Sequence, residues 1–155
     1  MDILSVLLAV FVALLWGITP NIHKVLLSDL SFKTVMVISS CFYFSCTLLF
    51  TLFYKDEILK DLPKLDAKHL FGLAIVAVIA GFLANIIYLM VLQKNKSYVI
   101  SALIYAAPLF TLLGGIFVLK ERITLVSFLG VMLIVIGILC IGIGDKISAF
   151  INFRD

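Results

Sequence analysis

The sequence predicts an all-α membrane protein of about five transmembrane helices, and three observations carry that prediction. Hydrophobic residues make up 64% of the chain and charged residues only 14%, with a mean hydropathy of +1.26, whereas an ordinary soluble domain is about 45–50% apolar and about 25% charged. The few charges cluster in short stretches between apolar runs instead of covering a surface, which excludes a water-soluble fold. Five of the apolar runs reach the ~20 residues needed to cross about 30 Å of hydrocarbon. A spanning segment must satisfy its own backbone groups, and continuous runs of this length do so as helices.

The first run extends from Ile3 to about Leu27. Asp2 and the lack of a leading basic cluster separate it from a cleavable signal peptide, so it is read as the first span. The next three runs cover Thr34 to Tyr54, Leu70 to Leu92 and Tyr98 to Leu119, and the fifth covers Leu125 to Ile143. Short polar connections separate them, except for Lys55 to His69, a charged stretch broken by Pro63 that is expected to lie along the membrane surface as a loop. Residues 1–144 then form one membrane domain, with spans at about 3–27, 34–54, 70–92, 98–119 and 125–143. Residues 145–155 form a tail mixing Asp145, Lys146 and Arg154 with Ile147, Phe150, Ile151 and Phe153, a composition that suits an interfacial segment or a disordered one. Cys41, Cys46 and Cys140 lie inside apolar runs without metal-ligand spacing, and are expected to be small buried side chains rather than a disulfide framework.

Lysine and arginine near span ends set membrane orientation, while acidic residues contribute little. With five spans, Lys55, Lys60, Lys64, Lys68, Lys120 and Arg122 fall on the side of the N-terminus, and Lys24, Lys33, Lys94, Lys96, Lys146 and Arg154 on the other. Six against six gives no positive-inside bias, and a chain without that bias can insert either way. If Lys24 and the distal Arg154 are discounted, a cytoplasmic N-terminus is preferred instead. Two opposed copies would form an antiparallel pair.

Every acidic residue falls at a terminus or in a connection, so no span offers a carboxylate for a proton relay. Lys24 and His23 are the ionisable candidates left, about a turn beyond Pro20. There a lysine can snorkel to the interface and a neutral histidine can hydrogen-bond. On the other reading, Gly17, Asn21, Lys24 and Ser28 share one helical face that lines a polar cavity. Pro20 and Pro108 remove the helical donors to the carbonyls of Trp16 and Ile104. Such interruptions either present backbone groups to ions and solutes or simply kink a helix.

A polar stripe of Ser97, Ser101, Tyr105 and Pro108 marks the fourth span, Gly81, Asn85 and Tyr88 mark the third, and Ser39, Ser40, Tyr43 and Thr47 form a looser set on the second. Small polar residues of this kind line cavities or join helices through hydrogen bonds averaging about 0.6 kcal/mol. Asn85 stands apart because a buried amide needs several partners. Trp16, Tyr43, Tyr88 and Tyr105 can wall a site for a ring or a cation, the three tyrosines lying nearer the span middles than an interfacial belt requires. Gly130, Gly137 and Gly144 recur every seven residues near one face of the last span, a packing face within the chain or between two copies, and Gly114-Gly115 can act similarly in the fourth.

No serine, cysteine or histidine in the spans sits with a base and an orienting acid, and neither a metal cluster nor a phosphate-binding glycine loop occurs, so neither an enzyme nor a cofactor or metal site is expected. The pattern Leu15-Trp16-Gly17 with Pro20, Asn21 and Lys24, then Tyr105-Ala106-Ala107-Pro108 with Leu119, Glu121 and Arg122, then Gly130 and Gly137, resembles the drug/metabolite transporter superfamily, specifically one EamA-type repeat of five helices. The resemblance covers nearly the whole chain. It implies transport of a small metabolite by alternating access, with two five-helix units around a central cavity and an inverted pseudo-two-fold axis. This chain is then one half of an inverted-repeat transporter, and a homodimer, antiparallel as the charge balance allows, supplies the other half.

On that reading Lys24, Tyr43, Asn85, Tyr88, Ser101 and Tyr105 contact substrate or gate access, Pro20 and Pro108 shape the moving helices, and Gly130, Gly137 and Gly144 pack helices or the dimer. The partners are a small-molecule substrate, membrane lipids and a second copy, not nucleic acid, and the location is the plasma membrane. Glu121 is expected to be an interfacial residue paired with Arg122 or Lys120. Ser39 and Ser40 stand where the family often shows a second-span arginine, so an anion-binding role tied to that arginine does not carry over. The smaller multidrug exporters of the superfamily rely on a first-helix glutamate that this chain lacks. A lipid flippase and a noncatalytic membrane scaffold or subunit are the alternative functions.

Overall fold

The structure, a computed structural model, describes residues 2–152, with side chains through Gly144 and at Ile147; the rest of the tail, including Arg154 and Phe153, lies outside the described residues. Its helices are α1 (Ile3–Asp29), α2 (Phe32–Phe53), α3 (Lys55–Asp61), α4 (Ala67–Val76), α5 (Ala84–Lys94), α6 (Ser97–Ile104), α7 (Ala107–Phe117) and α8 (Leu125–Asn152), with a 3-10 turn at Leu62–Lys64 and a π-helical segment at Ala77–Leu83. Five spans long and apolar enough to cross a bilayer result: Ile3–Asp29, Phe32–Phe53, Ala67–Lys94, Ser97–Phe117 and Leu125–Gly144. The protein is an all-α, multi-pass membrane protein.

Short polar side chains start the helices, α2 and α4 two to three residues ahead of the apolar runs that begin at Thr34 and Leu70. Asp2 precedes α1 and accepts a hydrogen bond from Ser5, which holds its carboxyl below the usual carboxylate range. Ser31 accepts from the Thr34 N–H at 3.3 Å, Asp66 from the His69 N–H at 2.8 Å and Thr124 from the Ser127 N–H at 3.2 Å, satisfying donors at the heads of α2, α4 and α8. The stretch expected as a surface loop contains α3, whose Asp56 and Glu57 lie in the first turn and Lys60 in the last, as the helix dipole favours. α8 continues past Ile143 to Asn152.

The two span prolines act differently. Pro108 sits in the first turn of α7, where no N–H is needed, and the fourth span breaks there into α6 and α7 across Tyr105-Ala106. Pro20 lies inside α1, which runs on through it. The third span holds an interruption the sequence did not announce. The Ala84 N–H bonds the Ile79 carbonyl, five residues back, which winds an extra residue into the turn and resets the register of α5 against α4.

Two compact units emerge: Asn21–Lys94, and Met1–Pro20 with Asn95–Asp155. In the first, α2 packs on α5, and Leu27, Val35, Met36, Leu89 and Leu92 are buried. In the second, α8 packs on α6 and α7, with Ile100 and Ile138 buried. Most other apolar side chains are exposed. That is the pattern of a protein whose solvent is lipid, because hydrocarbon gives apolar side chains no drive to hide and leaves helix contacts to dispersion and hydrogen bonds. Cys41, Cys46 and Cys140 are exposed as well, a correction to their expected burial: a thiol is apolar enough to face acyl chains.

Candidate functional site

α1 brings His23 and Lys24, both part-buried, to the final turns of α5. The Lys24 ammonium donates to the Leu92 carbonyl at 2.9 Å and to the Gln93 carbonyl at 3.1 Å. Those oxygens belong to the last turn of α5, where no further helical N–H reaches them. The positive charge also offsets the negative end of the α5 dipole. Gln93 returns the interaction, its Nε2 donating at 3.4 Å to the Leu30 carbonyl just past the end of α1. The C-terminal ends of α1 and α5 thus cap each other.

One turn earlier on α5, the Tyr88 hydroxyl lies 3.4 Å from His23 Nδ1, with ring centroids 5.7 Å apart at an angle of 60°. Asn85, three residues before Tyr88, shares its helical face and is part-buried. Among the described residues the Asn85 amide makes no hydrogen bond, so this face presents an amide donor and acceptor beside a phenol.

Tyr43 stays out of this cluster. It is 77% exposed, and among the described residues no hydrogen bond or ring contact joins it to Lys24, Asn85 or Tyr88. Trp16 is likewise exposed. Ser101 and Tyr105 belong to the other unit. There the Tyr105 N–H donates to the Ser101 carbonyl at 3.0 Å, closing α6 at the break that Pro108 imposes. The hydroxyls of Ser45, Thr47, Thr51 and Thr111 donate to carbonyls four residues back in their own helices, at 2.9 to 3.1 Å, so Thr47, the one of them in an expected polar set, is spent locally. An open groove of about 410 Å³ beside α2 is lined by Met36, Val37, Ser40, Cys41, Phe44 and Phe82, of which only Ser40 belongs to a polar set named from the sequence.

The glycines divide in the same way. Among the described residues a Cβ built on Gly130, Gly137 or Gly144 meets nothing within 4 Å, whereas one on Gly142 lies 3.8 Å from Leu103. One on Gly115 would stand 3.0 Å from the Glu121 carboxylate. Lys120, at φ 55°, turns the chain back there, and the Glu121 N–H bonds the Gly115 carbonyl at 2.9 Å. Glu121 therefore folds onto α7, and among the described residues it makes no ion pair with Lys120 or Arg122, contrary to expectation.

Sequence reasoning missed Gln93 and the carbonyls it shares with Lys24. The available signal was an amide side chain in the last turn of a span that runs parallel to the first.

Residues 3–143 match the EamA-like transporter family. The chain is also similar to a Methanocaldococcus jannaschii protein described as uncharacterized, at 24% identity over 141 residues, covering 91% of this chain and 98% of that protein. No solved structure matches it. The family match runs from the start of the first span to the end of the fifth, and with the five apolar helices beneath it, the chain belongs to the EamA-like transporter family.

Proposed function

We propose that the protein moves a small metabolite across the plasma membrane by alternating access, as a homodimer whose copies are opposed. The family match over a single five-helix repeat carries this reading, because an odd number of spans puts the ends of the repeat on opposite faces and an inverted second copy completes the carrier. Asn85 and Tyr88 contact the solute. Tyr43, Ser101 and Tyr105 are further proposed contacts, and Lys24 gates access through its hold on the end of α5. The breaks at Pro108 and at the π segment let parts of the third and fourth spans move without melting the rest. Open space over Gly130 and Gly137 supports their use between copies.

The test is flux. Purified protein in liposomes, offered radiolabelled amino acids, nucleosides and sugars, accumulates at least one of them, and Asn85→Ala with Tyr88→Phe lowers that uptake by about tenfold or more, as loss of two hydrogen bonds to a solute should. Transfer of labelled lipid without solute uptake would move the assignment to a flippase. Absence of both would move it to a scaffold.

A further inference from the structure

We propose that residues 55–65, between the second and third spans, form an amphipathic interfacial helix whose leucine face sinks into the boundary between lipid headgroups and acyl chains, through apolar contact and without a need for anionic lipid. The inference stands apart from the transport reading. α3 does not end its winding at Asp61. The Leu62 N–H bonds the Ile58 carbonyl, and through the 3-10 turn the Leu65 N–H bonds the Leu62 carbonyl at 3.2 Å. This winding sets Ile58, Leu59, Leu62 and Leu65 on one side, since three residues make nearly a turn of α-helix and a full turn of 3-10 helix. Asp56, Glu57, Lys60, Asp61 and Lys64 take the opposite side, where Lys64 pairs with Asp61. Lys55 begins on the leucine side at the first residue of α3, where its long stem carries the ammonium back to the headgroups.

Packing within the chain leaves that leucine face open. α3 packs on the end of α2 and on the turn that follows it, yet Leu59, Leu62 and Leu65 are 40–51% exposed. Lipid is the occupant because both ends of the segment already meet it. Phe53, the last residue of α2, is 85% exposed, and Leu70 and Phe71 in α4 are exposed as well, all three in spans apolar enough to cross the bilayer. Tyr54 stacks on Phe50 with ring centroids 4.4 Å apart, which places a phenol at the end of the span, the position of an interfacial aromatic belt. The segment leaves the membrane and re-enters it at the same interface, so its leucine face lies along the boundary that amphipathic helices occupy.

Charge decides which lipid is needed. Residues 55–68 hold four lysines and four carboxylates, so the segment carries no net charge at neutral pH. A basic amphipathic helix gains affinity from anionic headgroups, whereas this one draws on buried apolar area and responds little to headgroup charge or salt. Seated in this way, it holds the end of the second span and the start of the third at one depth.

The experiment places a nitroxide spin label at Leu62→Cys or at Lys60→Cys in the full chain, with Cys41, Cys46 and Cys140 changed to serine, in phosphatidylcholine nanodiscs. Collisions with oxygen, which concentrates in lipid, are compared with collisions with a water-soluble nickel chelate. With the Leu62 label about 5–10 Å into the boundary, its nickel collision rate is expected to be at least about fivefold below that of the Lys60 label, and its oxygen rate higher. Adding phosphatidylglycerol or raising the salt concentration is expected to change that ratio by less than about twofold. Equal nickel rates at the two positions would show a hydrated segment and overturn the proposal. A Leu62 label shielded from both reagents would put protein on the leucine face, a second copy or another part of the chain, and overturn it as well. Insertion only in the presence of phosphatidylglycerol overturns the claim that apolar contact suffices. Should the cysteine-free chain fail to fold, methyl NMR of the unaltered protein decides. A lipid spin-labelled just below its headgroup is expected to broaden the Leu59, Leu62 and Leu65 methyls more than a soluble paramagnetic agent does; the reverse overturns the proposal.

Discussion

Replacing Lys24 by methionine keeps the unbranched apolar stem and removes the ammonium that closes the α5 end. Two charge-assisted hydrogen bonds are lost, at 2.9 and 3.1 Å, each worth roughly 1.5–3 kcal/mol where no water can substitute. Lys24 is only part-buried, and the last turn of a span lies close to the interface, so water takes up much of that loss. About 2 kcal/mol should remain, including roughly 0.3–1 kcal/mol from the helix dipole. Gln93→Ala removes one neutral bond at 3.4 Å and should cost no more than about 0.5 kcal/mol. Lys24→Arg keeps the charge and should recover more than half of the methionine loss, short of all of it because the planar guanidinium cannot copy the geometry of an ammonium. The assay is reversible unfolding of the purified protein in mixed micelles, read by circular dichroism. A Lys24→Met protein within about 0.5 kcal/mol of wild type, or one no less stable than Gln93→Ala, would refute the mutual cap.

Thr47→Val should change stability and uptake by little, under about 0.5 kcal/mol, since its hydroxyl serves only the Tyr43 carbonyl of its own helix; thermal melts in detergent check this. Gly137→Ala should leave the fold of one chain intact, because among the described residues nothing lies within 4 Å of the added Cβ, yet weaken self-association by about tenfold, measured by energy transfer between labelled copies in lipid. Gly115→Ala meets only the tip of a flexible glutamate, so it should cost under about 1 kcal/mol, with the loss disappearing in a Glu121→Ala background, as a double-mutant cycle would reveal. Reporters fused to the C-terminus and active on one side only should give signal from both faces of the membrane if copies are opposed; signal from one face alone would leave a parallel pair or a heteromer.

Composition and run length by themselves determined the fold class and the five spans, because crossing about 30 Å of hydrocarbon demands long apolar helices whatever else a chain does. Run length alone put the starts of the second, third and fifth spans at Thr34, Leu70 and Leu125; the caps by Ser31, Asp66 and Thr124 set the heads of α2, α4 and α8, and a cap is a contact between near neighbours in sequence. The break at Pro108 was legible because a proline, too, acts on near neighbours. Only the tertiary structure decided what the polar residues do. Lys24 and Gln93 are 69 positions apart along the chain, and no periodicity in either helix reveals that each closes the other's end. The pairing of His23 with Tyr88, the separation of Ser101 and Tyr105 into a different unit, and the open space over Gly130 and Gly137 were equally invisible. In a bilayer, apolar patterning is satisfied by lipid on every side, so it specifies that a helix spans without specifying which face meets which neighbour. Those choices rest on a few hydrogen bonds and close contacts between distant residues.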